Sequence, residues 1–296
     1  MKSLPLPAIR HRDPGTATSI GQRVPPHTYF LVSAVFHYLG PAFAVLLFAH
    51  IAPLGVAWLR IASAAAIFAA WRRPWRYYRC LQPAAKRNVL MLGTVLALMN
   101  VCFYIAIDRL PLGTVGAIEF VGPIGLAVLG MRSRRNIGAL ALATAGVYVL
   151  AHVRLAGQPL GFAFAFADCG LFVLYIILGH RIAADGGAAG IDRLGFAMLV
   201  AMVVALPIGI GEATPAFFSP LLLGAGIGVG VSSSVIPYVC DQLAMARLPR
   251  ATFALLLALL PAMASLIGAV VLHQLPTAVE IGGIALVVGG VVLHRA

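Results

Sequence analysis

The sequence predicts an all-α integral membrane protein of ten transmembrane helices, arranged as two five-helix inverted-topology repeats. Hydrophobic residues make up 61% of the 296 residues and charged residues 10%, against about 25% charged in a soluble domain. The mean hydropathy is +0.97. A single globule of this size would leave much of that apolar surface in water, so lipid has to solvate it. The composition excludes a soluble enzyme, a disordered chain and a disulfide scaffold.

Ten apolar segments are the candidate spanning helices, each near the roughly 20 residues that a bilayer requires. Charged clusters, glycines and prolines separate them. The predicted helices cover 29–49, 53–71, 88–107, 112–130, 136–151, 159–180, 194–211, 219–240, 251–272 and 276–294. Residues 1–27 are polar and proline-rich, and we expect a cytoplasmic N-terminal tail there. The first repeat then occupies 28–152 and the second 153–296.

Basic residues are distributed unevenly between the two faces of this topology. Alternate loops share a face, which places 18 of the 21 Lys and Arg on the side of the N-terminus. Arg109 and Arg154 lie on the other side, and Arg60 lies inside the second helix. Positively charged loops stay in the cytoplasm, so both termini are predicted to be cytoplasmic in a bacterial-type inner membrane. The basic residues that set this membrane orientation account for the net charge of +12. No nucleic-acid partner is therefore expected.

An internal repeat relates the two halves. The motif Arg-Leu-Pro-x-x-Thr at 109–114 recurs at 247–252, and Pro123 recurs at the same offset of 138 residues as Pro261. Because five is odd, the second copy enters the membrane from the opposite face. Inverted repeats are typical of secondary transporters, whose substrate site lies near the midplane between the halves. The alternative is a duplication that only serves packing.

Specific motifs occur in the third and fourth predicted helices. They read M-N-x-x-F-Y at 99–104, P-L-G at 111–113 and A-x-E-F-x-G-P at 117–123. This pattern resembles the threonine/homoserine exporter branch of the drug/metabolite transporter superfamily (EamA type), over about residues 30–294. The resemblance implies export of small neutral amino acids by alternating access. The chain departs from the family pattern at Leu260 and Gln274, where an acid is common, and at Asp168, where the branch has a small residue.

Glu119 is the sharpest candidate for a functional residue. A carboxylate inside a span is costly and should face a cavity or a partner. Pro123 has no N–H to donate to the Glu119 carbonyl four residues back, so two acceptors coincide, which suits an ammonium group or a proton. The alternative is a structural ion pair with Arg60 at similar depth. Arg60 could instead bind a substrate carboxylate, and Asp168 is a second candidate for coupling or an ion pair.

Other polar side chains near mid-depth are candidate substrate-binding residues, although each could equally serve as an interhelical hydrogen bond. They are His37, Tyr38, Asn100, Tyr104, Tyr175, Ser233 and Tyr238. Pro123, Pro261 and Gly122 are candidate hinge positions. Asp241 is expected at the cytoplasmic interface, near Arg247.

The leading hypothesis is therefore an inner-membrane exporter of small neutral amino acids or related metabolites, with protons as a candidate coupling ion. Efflux of cationic or aromatic drug-like solutes by the same fold is the alternative. A membrane enzyme would need a nucleophile–base pair or a metal cluster at one depth, and a scaffold would need large loops or tails. The sequence shows none of these, so no enzyme activity, cofactor or metal is predicted.

Overall fold

The computed structural model describes residues 25–130, 133–154, 158–184, 186–248, 253 and 260–293, and within these ranges the chain is helical with short connections and no β-strand. The helices are α1 (Pro26–Leu47), α2 (Pro53–Arg72), α3 (Pro74–Arg79), α4 (Pro83–Arg109), α5 (Leu112–Gly130), α6 (Arg134–Arg154), α7 (Pro159–Ala183), α8 (Gly187–Gly209), α9 (Thr214–Phe217), α10 (Pro220–Met245), α11 (Leu260–Leu272) and α12 (Ala278–Leu293). Helix α10 contains a π-helical turn at Val231–Val235.

The helices define a multi-pass membrane protein. Six of the described helices, α1, α2, α4, α7, α8 and α10, are long and apolar enough to cross a membrane. Each predicted segment falls on a helix, although only Phe253 and the part from Leu260 onward are described in the ninth. Of the predicted tail 1–27, residues 1–24 lie outside the described part of the chain, and helix α1 already begins at Pro26.

Two predicted helix starts, at 88 and 194, were too late because charged residues were assigned to loops. Helix α4 begins at Pro83 and carries basic residues in its first turns. Helix α8 begins at Gly187, and its Asp192 receives two hydrogen bonds from Arg72 at 2.7 and 2.9 Å. Long basic side chains reach the interface from within a helix, so a charge does not end a span. The sequence analysis also missed the short helices α3 and α9.

Proline explains where many of the helices begin. A proline is the first residue of six helices, because the N–H that it lacks has no intrahelical acceptor at that position. These helices are α1, α2, α3, α4, α7 and α10. Helix α12 begins differently, with the Glu280 carboxylate accepting from the backbone N–H of Thr277 at 2.8 Å and the Thr277 hydroxyl accepting from the N–H of Glu280 at 3.3 Å. This reciprocal pair is a capping box.

The principal helix contacts join the two halves of the chain. Helix α1 packs on α10, α2 on α8, α4 on α7, α5 on α11 and α6 on α12. In every pair one helix lies within residues 26–154 and the other within residues 159–293. The buried core therefore lies between the halves, which places a site there in contact with both.

Hydrogen bonds between connections assign the loops to two faces. On one face, which we call the basic face, Arg72 binds Asp192 and Arg135 Nε donates to the Leu293 carbonyl at 2.6 Å. On the other, which we call the vestibule face, the N–H of Leu112 donates to Gln274 Oε1 at 3.1 Å. The connections 72–83 and 183–187 thus share one face, and the connections 109–112 and 272–278 share the other.

Candidate functional site

A small cavity lies at the centre of the helices, and we call it the central cavity. It is lined by His37, Arg60, Met99, Asn100, Phe103, Glu119, Asp168 and Tyr238. These residues come from α1, α2, α4 and α5 in the first half and from α7 and α10 in the second. The free volume is about 10 Å³, close to the space of one water molecule. The polar groups are therefore closed around one another in this conformation.

Two acidic side chains meet in the central cavity. Glu119 is 3% exposed and its Oε2 accepts a hydrogen bond from the Tyr38 hydroxyl at 2.7 Å. Asp168 is fully buried beside the Glu119 carboxyl, and neither of its oxygens accepts a hydrogen bond from a donor in the described residues. Adjacent buried carboxylates repel one another, so a shared proton or a bound cation would stabilise the pair.

Gly122 explains how these two acids approach each other. A Cβ at this position of α5 would overlap the side chains of Cys169 and Val173 on α7 and would lie 3.0 Å from the Cys169 carbonyl oxygen. Glycine therefore lets the two helices pack closely one turn from Glu119, at the residue that follows Asp168. The predicted role of Gly122 as a hinge stays a prediction, while its contact with α7 is observed.

Arg60 binds helix α10 on the side of the central cavity away from Glu119 and Asp168. Its Nε donates to Ser234 Oγ at 2.8 Å and its Nη2 donates to the Ser233 carbonyl at 2.6 Å. The guanidinium carbon also lies 5.6 Å from the centre of the Tyr104 ring, in cation–π geometry. The alternative of a direct ion pair with Glu119 is not what the described residues show. The positive and negative groups instead face each other across the cavity.

The helix α10 backbone explains why Arg60 binds there. In an α-helix the Ser233 carbonyl would accept from residue 237, but Pro237 has no N–H. The π-helical turn Val231–Val235 includes Ser233, and such turns are frequent at functional sites. Arg60 supplies the missing donor. In the sequence, Pro237 stands four residues after Ser233 just as Pro123 stands four residues after Glu119, so the same missing N–H signals the free Ser233 carbonyl.

A second buried polar group, which we call the inner cluster, lies beside the central cavity toward the basic face. Asp241 Oδ1 accepts from Ser33 Oγ at 2.5 Å, and its Oδ2 accepts from the Tyr175 hydroxyl at 2.9 Å. Asp241 is 5% exposed, so it is buried among the helices, and its predicted position at the interface near Arg247 stays a prediction. Sequence reasoning missed Ser33 and grouped Tyr175 with the central residues, because contacts between helices are not visible in the chain.

A larger cavity of about 630 Å³, the vestibule, opens at the vestibule face. It lies between the ends of α1, α4, α5, α11 and α12, and Thr114 and Ser265 are among its lining residues. Deeper along α5, Gly116 packs against the Tyr38 ring and Ala264. Tyr38 therefore separates the vestibule from the Glu119 carboxyl.

The remaining predicted residues differ in how much the structure shows. Asn100 is buried, and its Nδ2 donates to the Leu96 carbonyl of its own helix at 2.7 Å. Pro123 is buried inside α5. Pro261 is the second residue of α11, and the chain just before Leu260 lies outside the described residues. The hinge roles of both prolines stay predictions.

Comparison with known proteins identifies the family. Residues 159–295 match the EamA-like transporter family. The threonine/homoserine exporter RhtA of Salmonella typhimurium strain LT2 is 32% identical over 251 residues, covering 82% of this chain and 81% of that protein. RhtA of Escherichia coli strain K12 is 30% identical over 265 residues, covering 86% of each chain.

The fold has a solved counterpart. A structure described only as "Crystal structure of protein" superimposes with a TM-score of 0.57 at 19% identity, covering 90% of this chain and 96% of that one. The helical fold and the relatives, which are transporters, together define a multi-pass inner-membrane transport protein. The chain belongs to the EamA-like transporter family. The resemblance predicted from the motifs at 99–123 is thereby confirmed.

Proposed function

We propose that the chain is a secondary active transporter that exports small neutral amino acids such as threonine and homoserine across the inner membrane by alternating access. The names of its relatives support export of this substrate class. The observation that carries the proposal is the placement of Arg60 opposite the Glu119 and Asp168 carboxyls in one buried cavity. An amino acid presents one carboxylate and one ammonium group, and this cavity offers a partner for each.

The substrate carboxylate would bind Arg60, whose planar guanidinium matches two oxygens at once. The guanidinium donates to the Ser233 carbonyl and to Ser234 Oγ, so the substrate would replace these acceptors. The ammonium group would bind between Glu119 and Asp168. Because the closed cavity holds about one water molecule, substrate entry requires the helices around it to separate.

Exchange with protons follows from the same two acids. A proton and an ammonium group compete for the Glu119 and Asp168 carboxyls, so each site occupant excludes the other. Mutual exclusion couples outward movement of one solute to inward movement of the other. We therefore propose proton antiport as the driving reaction.

We further propose that ten helices form two inverted repeats, at 28–152 and 153–296, preceded by a cytoplasmic tail at 1–27. The pairing of helices within residues 26–154 with helices within residues 159–293 supports this arrangement. Both termini would be cytoplasmic, since the basic face carries most of the Lys and Arg. Rocking of the halves about Pro123 and Pro261 would switch access between the faces.

Efflux of cationic or aromatic drug-like solutes is the second candidate. Met99, Phe103 and Tyr238 give the central cavity an apolar and aromatic part that would suit such molecules. Arg60 in the same cavity repels a cation that has no carboxylate to offset it. The charge arrangement therefore favours a zwitterion over a cationic drug.

Counterflow of labelled threonine, homoserine, methionine and phenylalanine in proteoliposomes tests the proposal. We expect saturable counterflow by the wild-type protein and its loss in Glu119→Gln. Asp192→Asn, the same kind of change at a partly exposed acid on the basic face, serves as the matched control and should retain counterflow. Absence of counterflow for all four amino acids with folded protein would overturn the amino-acid proposal and favour the drug-like solutes.

A further inference from the structure

We propose that Asp241, together with Ser33 and Tyr175, is an inner proton-binding site that passes protons between the central cavity and the basic face without contacting substrate. This inference rests on the proposed function and adds a coupling site to it. Exchange of one substrate molecule for another across the membrane would not need this site, whereas transport driven by a proton gradient would.

Asp241 is bound by two hydroxyl groups, and the ion pairs found in the described part of the chain do not include it. Ser33 and His37 face it from α1, Tyr175 from α7, and Phe253 and Leu260 close the other side. Helix α8 also packs against this part of α10. Its charged residues are engaged elsewhere, because Asp192 binds Arg72 and Arg193 Nη1 donates to the Ile182 carbonyl at 2.9 Å. On α10 itself, the nearest titratable groups are Tyr238 and Cys240, and Arg247 follows the end of that helix. On α7, the His180 ring lies 5.6 Å from the Phe253 ring, which lines the same cavity as Asp241.

An acid buried in a span without a basic partner is expensive and is a functional residue by default. The hydrogen bonds of Asp241 suit both of its protonation states. The hydroxyls of Ser33 and Tyr175 donate to it when it is ionised, and each hydroxyl oxygen is also able to accept from it when it is protonated. A site that loads and unloads a proton needs this property, while a purely structural hydrogen bond would be met by an uncharged asparagine.

His37 connects this site to the central cavity. Its side chain lines both the central cavity and the small cavity at the inner cluster. One imidazole nitrogen accepts a proton while the other donates one. A carboxylic acid of the Glu119–Asp168 pair would protonate His37, and the imidazolium would release its other N–H proton to the Asp241 carboxylate. Each step moves one proton, and the chain of groups ends next to the basic face.

The dimensions of the inner cavity support protons rather than substrate. Its free volume is about 10 Å³, which holds at most about one water molecule. An amino acid does not fit there without rearrangement. The cluster is thus separated from the substrate position by His37, and its removal should affect coupling more than binding.

The test compares two assays on the same proteoliposomes. Threonine counterflow at equal pH reports substrate exchange, and threonine uptake driven by an imposed pH gradient reports coupling. We expect Asp241→Asn to keep counterflow at the wild-type rate. Gradient-driven uptake should fall about a hundredfold, the low end of what a positioned proton-transfer group contributes. Asp192→Asn is the matched control and should leave both assays unchanged.

A second variant keeps the test decisive if Asp241→Asn does not fold. Ser33→Ala combined with Tyr175→Phe keeps the acid but removes both of its donors, and should lower gradient-driven uptake about tenfold while counterflow persists. If Asp241→Asn does not fold, full gradient-driven uptake by this double variant overturns the proposal. Equal loss of both assays in folded Asp241→Asn also overturns it, since that result places Asp241 in substrate binding.

The wild-type protein separates the two proposals. Counterflow without any response to a pH gradient overturns the proton site and leaves the proposed function standing. If no amino acid is exchanged, the proposed function fails. A dye-reported proton flux that Asp241→Asn abolishes would then still support the site, and the absence of such flux would overturn it.

Discussion

The Tyr38 hydroxyl donates a 2.7 Å hydrogen bond to Glu119 and thereby ties α1 to α5 between the vestibule and the central cavity. The Tyr38 ring also packs against Gly116, one turn of α5 before Glu119.

Tyr38→Phe tests this contact. The ring stays, but the buried Glu119 carboxyl loses its donor, which should lower the free energy of unfolding by about 1–3 kcal/mol. Chemical denaturation in detergent would measure this change. Tyr77→Phe removes a hydroxyl from a half-buried tyrosine on the basic face and should stay within about 0.5 kcal/mol of the wild type. Equal stabilities for both variants would contradict a stabilising Tyr38–Glu119 bond.

Arg60→Lys should raise the KM for threonine by about tenfold or more while the protein remains folded. Lysine keeps the charge but lacks the fork that reaches two acceptors such as the Ser233 carbonyl and Ser234 Oγ. Initial rates of transport over a range of threonine concentrations would show the effect. Arg72→Lys, at the surface pair with Asp192, is the control and should leave KM unchanged. An unchanged KM in Arg60→Lys would show that Arg60 does not bind the substrate carboxylate.

Gly122→Ala should separate α5 from α7 and destabilise the protein by about 1–3 kcal/mol, because its Cβ would overlap the side chains of Cys169 and Val173. Gly125→Ala lies three residues along the same helix, where an added Cβ meets no atom within 4 Å. That change should be neutral or stabilising by up to about 1 kcal/mol, since alanine favours the helix. Thermal unfolding of the two variants would measure the difference, and a destabilising Gly125→Ala would refute this packing argument.

The predicted orientation is open to cysteine labelling in intact cells. Cys80 is exposed on the basic face, so an impermeant maleimide should not reach it from outside. Phe218 is 84% exposed on the connection before α10, at the vestibule face, and a Phe218→Cys variant made together with Cys80→Ser should be labelled. Labelling of Cys80 alone would reverse the orientation and place both termini outside.

The sequence by itself determined where the long apolar helices of this protein lie. Apolar runs bounded by charge and proline located the helices because the cost of an unsatisfied backbone in lipid leaves few alternatives to a helix. The uneven distribution of basic residues and the 138-residue repeat predicted the topology of the whole chain. The motifs at 99–123 identified the family. Glu119, Arg60 and Asp168 could be singled out because each is a charge where lipid tolerates few.

The tertiary structure alone decided which of these side chains meet. Arg60 binds Ser233 rather than Glu119, and Asp241 accepts hydrogen bonds from Ser33 and Tyr175 on two other helices. Hydropathy fixes how deep a residue lies in the membrane but not which way its helix faces. That rotation is set by close packing at small residues and by hydrogen bonds between distant segments, and both arise only when the two halves of the chain come together.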